Sequence, residues 1–160
     1  MPLRLDTEFR ELKPASRWVN GEPPPAAGLK GKPTVVHFWA MSCPACHLQL
    51  EHVVEWEERF GDRIHLISVH TPMSVSDMNE DKVEEMVRAH GLRHPVAIDS
   101  EDGALADIYD VRVLPSYFVF DAEGRLRHYH SGLEAILPVE RAIERVLGQT
   151  SEAEAQPEHA

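Results

Sequence analysis

The sequence predicts an α/β protein with one mixed central sheet and helices on both of its faces. Residues 34–40 form a nearly continuous apolar run behind Pro33, the pattern of a strand covered on both sides. Strand-like and helix-like stretches then alternate, which calls for crossover connections and parallel pairing. Two last strand-like runs flank a turn at Glu123-Gly124 and read as a hairpin, which adds antiparallel strands. The length of 160 residues suits one domain with a core of its own.

Residues 1–33 read as an irregular lead-in broken by Asn20-Gly21, Pro23-Pro24-Pro25, Gly28 and Gly31, with Trp18 and Val19 as anchors. Residues 1–14 are expected to lie outside the domain, which spans 15–148. After the first strand, Pro44 to about Phe60 is helical, with Cys46, Leu50, Val53 and Val54 on one face and glutamates on the others. Arg63 to His70 is a second strand, ended by Thr71-Pro72, and a polar loop runs to about Met78. Val83, Met86, Val87 and His90 have helical spacing, stopped by Gly91. Pro95 to Ile98 is a short strand, and residues 104–109 a short helix with Leu105, Ile108 and Tyr109 inward. Tyr117 to Asp121 and Arg125 to Ser131 form the hairpin. Val139, Ile143, Val146 and Leu147 place a last helix on the sheet, and Gln149 to Ala160 is expected to be a disordered tail.

Sixteen Lys and Arg against 27 Asp and Glu leave a net charge of −11. That balance argues against nucleic acid and against anionic lipid as partners. No run of about 18 apolar residues offers a membrane span. Charged residues from Arg4 to Lys13 interrupt the segment where an export signal needs an apolar run. The expected location is therefore the cytoplasm, or an exported setting if the natural chain begins earlier.

The two cysteines, Cys43 and Cys46, stand three apart where the buried strand meets the long helix. The loop they close is too short to remove much unfolded-state entropy, so the pair reads as chemical and not structural. Cys43 falls at the helix N-terminus, where free N–H groups and the helix dipole favour a thiolate. Cys46 lies one turn in, placed to resolve a mixed disulfide formed at Cys43. Pro44 sits in the first turn, where its missing N–H costs little.

The stretch Phe38-Trp39-Ala40-Met41-Ser42-Cys43-Pro44-Ala45-Cys46, behind Leu29-Lys30-Gly31-Lys32-Pro33, resembles the thioredoxin superfamily and within it the TlpA/ResA-like thiol–disulfide oxidoreductases. The likeness continues through Val69-His70-Thr71-Pro72, Tyr109-Asp110-Val111 and Val113-Leu114-Pro115-Ser116-Tyr117, and covers roughly residues 15–148. It implies a thioredoxin-like fold and a cis Leu114–Pro115 bond facing the cysteines, with the Leu114 backbone offered to an extended substrate. Trp39, Pro44, Leu114 and Pro115 are the residues it implies as substrate contacts. Three positions depart from the pattern. Ser42 stands where many members have Trp, His37 where thioredoxins have a buried Asp, and Gln49 where TlpA/ResA-like members often have Glu. Both usual carboxylate proton acceptors are thus replaced, and His37 is the candidate to take the proton from Cys46. The bland alternative is a satisfied core histidine.

Other chemistries fit less well. Cys43 to His47 matches the CxxCH haem-attachment pattern, but it follows a core strand in an α/β pattern. Cys43, Cys46, His47 and His52 offer zinc-ligand types, but helical spacing turns His47 away from the thiols. His128 and His130 share a strand face that reads as solvated. Ala40, three residues before Cys43, replaces the Thr of peroxidase relatives. The expected activity is a thiol–disulfide oxidoreductase that reduces protein or small-molecule disulfides through Cys43 and Cys46, with an unknown electron donor and no metal or organic cofactor. The competing class is a binding or adaptor module on the same fold.

Overall fold

The computed structural model describes residues 3–155, with side chains for residues 3–148. Six strands form one sheet: β1 (Arg17–Val19), β2 (Thr34–Trp39), β3 (His65–His70), β4 (Val96–Ile98), β5 (Ser116–Phe120) and β6 (Leu126–Ser131). Their order across the sheet is β1-β4-β3-β2-β5-β6. β2, β3 and β4 are parallel, while β1 pairs antiparallel with β4, and β5 with β2 and β6. The helices are α1 (Ala26–Leu29), α2 (Pro44–Phe60), α3 (Glu80–Ala89), α4 (Ala104–Ile108) and α5 (Ile136–Ala155).

Every residue of β2 is buried, which accounts for its unbroken apolar run. Its alternate residues feed two cores. Val35 and Trp39 join Cys46, Leu50, Val53 and Trp56 of α2 and Val139 and Ile143 of α5. Val36 and Phe38 join Ile67, Leu105, Tyr109, Phe118 and Phe120 on the other face. Trp56 locks α2 to α5 by donating its indole N–H to Glu140 Oε2 at 2.9 Å. The hairpin and the two-faced sheet agree with the sequence reading.

Two parts of the chain differ from that reading. The lead-in is not wholly irregular, because it contains the edge strand β1 and the single-turn α1. It also runs beside the start of β6, where Asp6 N–H bonds Leu126 O at 2.7 Å and Phe9 N–H bonds Gly124 O at 2.8 Å. Leu12 is buried in the second core and the Tyr109 hydroxyl donates to Arg10 O at 2.6 Å. A three-residue strand is too short to show a period of two, and pairing of this kind rests on backbone groups that any residue carries. At the other end, α5 continues to Ala155, past the Gly148 at which the periodicity ends. Ser151-Glu-Ala-Glu-Ala supplies helix formers that need no apolar stripe. Of the expected tail, residues 156–160 lie outside the described residues.

Asp99, directly after β4, organises the edge of the second core. Its buried carboxylate accepts from the Thr71 hydroxyl at 2.8 Å, and from the N–H groups of Ser100 and Leu105 at 2.8 Å and Ala106 at 3.1 Å. It thereby ties the end of β3 to the first turn of α4. Replacing Asp99 by Ala strands these donors, and urea unfolding is expected to show a loss of about 2–3 kcal/mol.

Candidate active site

β2 ends at Trp39 and α2 begins at Pro44, so four residues turn the chain from the central strand into the helix. Cys43 is the N-cap. Its Sγ accepts the backbone N–H of Cys46 at 3.2 Å, and Pro44 opens the helix as the turn's missing donor. Cys43 and Cys46 are joined as a disulfide across this first turn, with Cα atoms 5.2 Å apart. Both cysteines are buried, but not equally: Cys46 is 0% exposed, while Cys43 keeps 4% and lies between exposed Ser42 and Pro44.

The turn before Cys43 is pinned by the loop that follows β3. Met41 N–H donates to His70 Nε2 at 3.0 Å. Ser42 gives both its N–H, at 3.0 Å, and its hydroxyl, at 2.6 Å, to the Asp77 carboxylate, which also accepts Met73 N–H at 2.9 Å. His47, one turn into α2, bonds Met41 O through Nε2. Burial pushes the Asp77 carboxyl up, but the bonds from Ser42 and Met73 outweigh it and hold it below its ordinary value. Burial pushes His70 down to about 4, against a smaller pull upward from Asp77, so this histidine is neutral at pH 7. At the turn before Cys43, therefore, stand the Asp77 carboxylate, the uncharged His70 ring and the His47 ring. Asp77 escaped the sequence reading because an Asp in a Ser-rich loop carries no local sign of what it will cap.

The remaining site residues divide between surface and core. The Leu114–Pro115 peptide is cis. Leu114 is half-buried and packs on both cores, Pro115 is buried, and Val113 beside them is exposed. Trp39, expected as a substrate contact, has no surface to offer one. It is fully buried with its ring edge-on to His70 at 4.9 Å, because a residue of the doubly covered β2 has no exposed face. Its role is to support the turn from beneath.

His37 lies on the α2-facing side of β2, the side of Val35 and Trp39. It is fully buried, stacked on Tyr117 with ring centres 5.1 Å apart, and bonded through Nδ1 to Ser68 Oγ at 2.8 Å. Nε2 is buried and has no hydrogen-bond partner among the described residues. Burial, then the neighbouring His94, push its pKa down to about 3. Gln49 is fully committed elsewhere. Its amide donates to Gly132 O at 2.8 Å and Leu133 O at 3.1 Å, and its Oε1 accepts the Tyr117 hydroxyl at 2.5 Å. A carboxylate at this position would face two carbonyl oxygens.

A CxxC closed across the first turn of a helix that leaves the central strand is the arrangement of a dithiol redox site. The Redoxin family model matches residues 19–143, nearly the whole of this sheet and its helices. The chain belongs to the Redoxin family. Thiol-disulfide oxidoreductase YkuV of Bacillus subtilis is 33% identical over 148 residues, covering 92% of this chain and 99% of that protein. Sporulation thiol-disulfide oxidoreductase A of the same organism is 29% identical over 98 residues, 61% of this chain and 58% of that one. Among solved structures, a thioredoxin-like protein in its oxidised form superposes with a TM-score of 0.85 at 32% identity, over 92% of this chain and 99% of the other. This Redoxin-family chain has a thioredoxin-like fold, is a TlpA/ResA-like member of the thioredoxin superfamily, and is a thiol–disulfide oxidoreductase.

The surroundings of Gln49 lead to a direct check. Gln49→Glu is expected to destabilise the protein by about 1–3 kcal/mol at pH 8, where the carboxylate opposes the carbonyls of Gly132 and Leu133. Folding then favours the protonated acid, so its pKa is raised, and the penalty shrinks as pH falls towards 5. Urea titrations of both proteins at the two pH values measure it.

Proposed function

We propose that the pair works in the reductive direction on protein or small-molecule disulfides, with Cys43 attacking and Cys46 resolving. The observation that carries the roles is the Cys46 N–H donated to Cys43 Sγ at the N-terminus of a 17-residue helix. A Cys43 thiolate gains from that donor and from the helix dipole, and its flanking residues are exposed. Cys46, inside the helix and fully buried, reaches only a sulfur already brought to Cys43.

The direction is supported by what surrounds Cys43. The Asp77 carboxylate, bonded to the adjacent Ser42, opposes a negative charge there, and His70 is held neutral. Helix stabilisation of the thiolate raises the reduction potential, and the carboxylate lowers it again. A dithiol so placed gives up its electrons more readily than one surrounded by cations. This direction suits a reducing cytoplasm, where the pair would rest as the dithiol.

In the cycle, the Cys43 thiolate attacks one substrate sulfur, a mixed disulfide forms, and the first substrate thiolate leaves. Cys46 gives its proton to His37, attacks the Cys43 sulfur and expels the second thiolate. Two electrons pass to the substrate, and the Cys43–Cys46 disulfide is returned to the dithiol by a thiol-class donor. Pro44, Leu114 and Pro115 frame the approach to Cys43, with the Leu114 backbone set to pair with an extended peptide.

Cys46→Ser is expected to retain mixed disulfides with substrates that gel mobility with and without reductant reveals, and Cys43→Ser to retain none. Recovery of none with Cys46→Ser would reject the assigned roles. Asp77→Asn keeps an acceptor for Ser42 and removes the charge. A glutathione redox titration should place its potential roughly 10–30 mV less negative than that of the unmodified protein, and a shift to more negative values would contradict the electrostatic argument.

A further inference from the structure

A chain of buried polar side chains leads away from the core beneath the cysteines. It begins at His37 Nδ1, which lies 2.8 Å from Ser68 Oγ on the neighbouring strand β3. Ser68 Oγ lies 2.7 Å from His94 Nε2, and His94 Nδ1 lies 2.7 Å from Glu57 Oε2 on α2. His37 and Ser68 are fully buried, and the His94 and Glu57 side chains are 7% and 8% exposed. Glu57 also accepts the backbone N–H groups of Arg93 and His94, both at 2.6 Å. Its outer end opens on a surface cleft lined by Glu57, His65, Arg93 and His94. The chain therefore runs from the core face shared with Cys46 to the surface, with a free ring nitrogen at one end and a carboxylate at the other.

The carboxylate decides where the hydrogens sit. Burial pushes Glu57 up, but the His94 ring and the two N–H groups outweigh it, so it is held ionised below its ordinary range. His94 then presents Nδ1–H to it, and in the neutral ring Nε2 is the acceptor for the Ser68 hydroxyl. Ser68 Oγ in turn accepts Nδ1–H of His37, and His37 Nε2 is left as a bare lone pair. Of the four ring nitrogens of His37 and His94, it alone has no hydrogen-bond partner among the described residues.

We propose that Glu57, His94 and Ser68 act with His37 as a proton relay that takes the Cys46 proton out of the core and holds it on a His94–Glu57 ion pair. This rests on His37 being the proton acceptor of the preceding section and adds where the proton goes. As Cys46 sulfur attacks Cys43, its proton binds His37 Nε2. The Nδ1 proton of His37 moves to Ser68 Oγ, and the Ser68 proton moves to His94 Nε2. His37 and Ser68 end neutral, His94 ends as an imidazolium against the Glu57 carboxylate, and the Cys43–substrate bond breaks with the electron pair leaving on the substrate thiolate. When a donor reduces the disulfide, the same hops run backwards and Cys46 recovers its proton.

The relay answers a difficulty that His37 alone would pose. A ring pushed down to about 3 does not hold a proton at pH 7, and the nearby His94 is part of the reason. Shifting the charge by two hydrogen bonds places it beside a carboxylate instead of in an apolar core. The other groups facing the chain are Tyr117, stacked on His37 and kept protonated by burial; Arg93, 3.8 Å from Glu57; and His65 and Asp62 at the cleft. Glu57, His94 and Ser68 are positioning residues, because they act through His37.

Rapid mixing of the reduced protein with excess 2-hydroxyethyl disulfide separates a concentration-dependent phase, attack by Cys43, from a concentration-independent phase, resolution by Cys46. Ser68→Ala and Glu57→Gln are expected to slow resolution about 10-fold at pH 6.5. Their resolution rates should then rise with pH and close most of that gap by pH 8, as Cys46 is left to ionise towards solvent, where the unmodified protein stays flatter. Glu57→Asp should recover most of the loss. Urea unfolding of each variant shows that it is folded, and Glu57→Gln serves alone if Ser68→Ala does not fold. If His37→Asn slows resolution while Ser68→Ala and Glu57→Gln keep its rate and pH profile, His37 works alone and the relay is wrong. If His37→Asn also leaves resolution unchanged, the acceptor role and the relay fall together.

Discussion

The structure depends on the way a doubly buried strand hands over to a helix at Cys43. Such a helix begins with N–H groups that have no partner of their own, and here the start lies beside the core, where an unmet donor is costly. The Cys43 sulfur takes one of them, Pro44 removes another, and the Met41 and Ser42 amides just before the helix go to His70 and Asp77. The redox pair thus forms part of the capping of α2, so the feature that ends β2 cleanly is the same one that favours a thiolate.

From that junction the rest of the site follows by proximity. β3 lies parallel to β2 and ends level with it, so its His70 and the loop beyond reach the turn before Cys43. β5 lies on the other side of β2 and brings Tyr117 against His37 and Gln49. Gln49 spans from α2 to the loop after β6. Polar side chains on this side of the sheet are consequently tied to one another, and among the described residues His37 Nε2, Trp39 Nε1 and His70 Nδ1 are the buried ring nitrogens left without a partner.

The elements with a repeating pattern were legible in the sequence. The β2 run, the α2 and α3 stripes, the hairpin and the CxxC each state their own geometry, because an apolar period or a helix-start signal is written in neighbouring residues. β1 and the continuation of α5 to Ala155 were not, since a three-residue edge strand and an Ala/Glu helix end show no apolar stripe. The burial of Trp39 is hidden for a related reason: a tryptophan beside a reactive cysteine looks like a contact surface until the covering of both faces of β2 is known. Gln49 was noticed only as a missing glutamate. Its three hydrogen bonds, to residues 68 and more positions away, give the amide a purpose that spacing cannot express.

By itself the sequence determined an α/β chain whose redox chemistry runs through Cys43 and Cys46, because both facts rest on residues within a turn or two of each other. Only the tertiary structure decided which carboxylate holds Ser42 beside Cys43, that Trp39 is covered, and that His37 is joined through Ser68 and His94 to Glu57. Those relations depend on the strand order β4-β3-β2 and on α2 lying across it. Residues 37, 57, 68 and 94 belong to four separate segments of the chain, and hydrogen bonds between them exist only once the sheet has set their register.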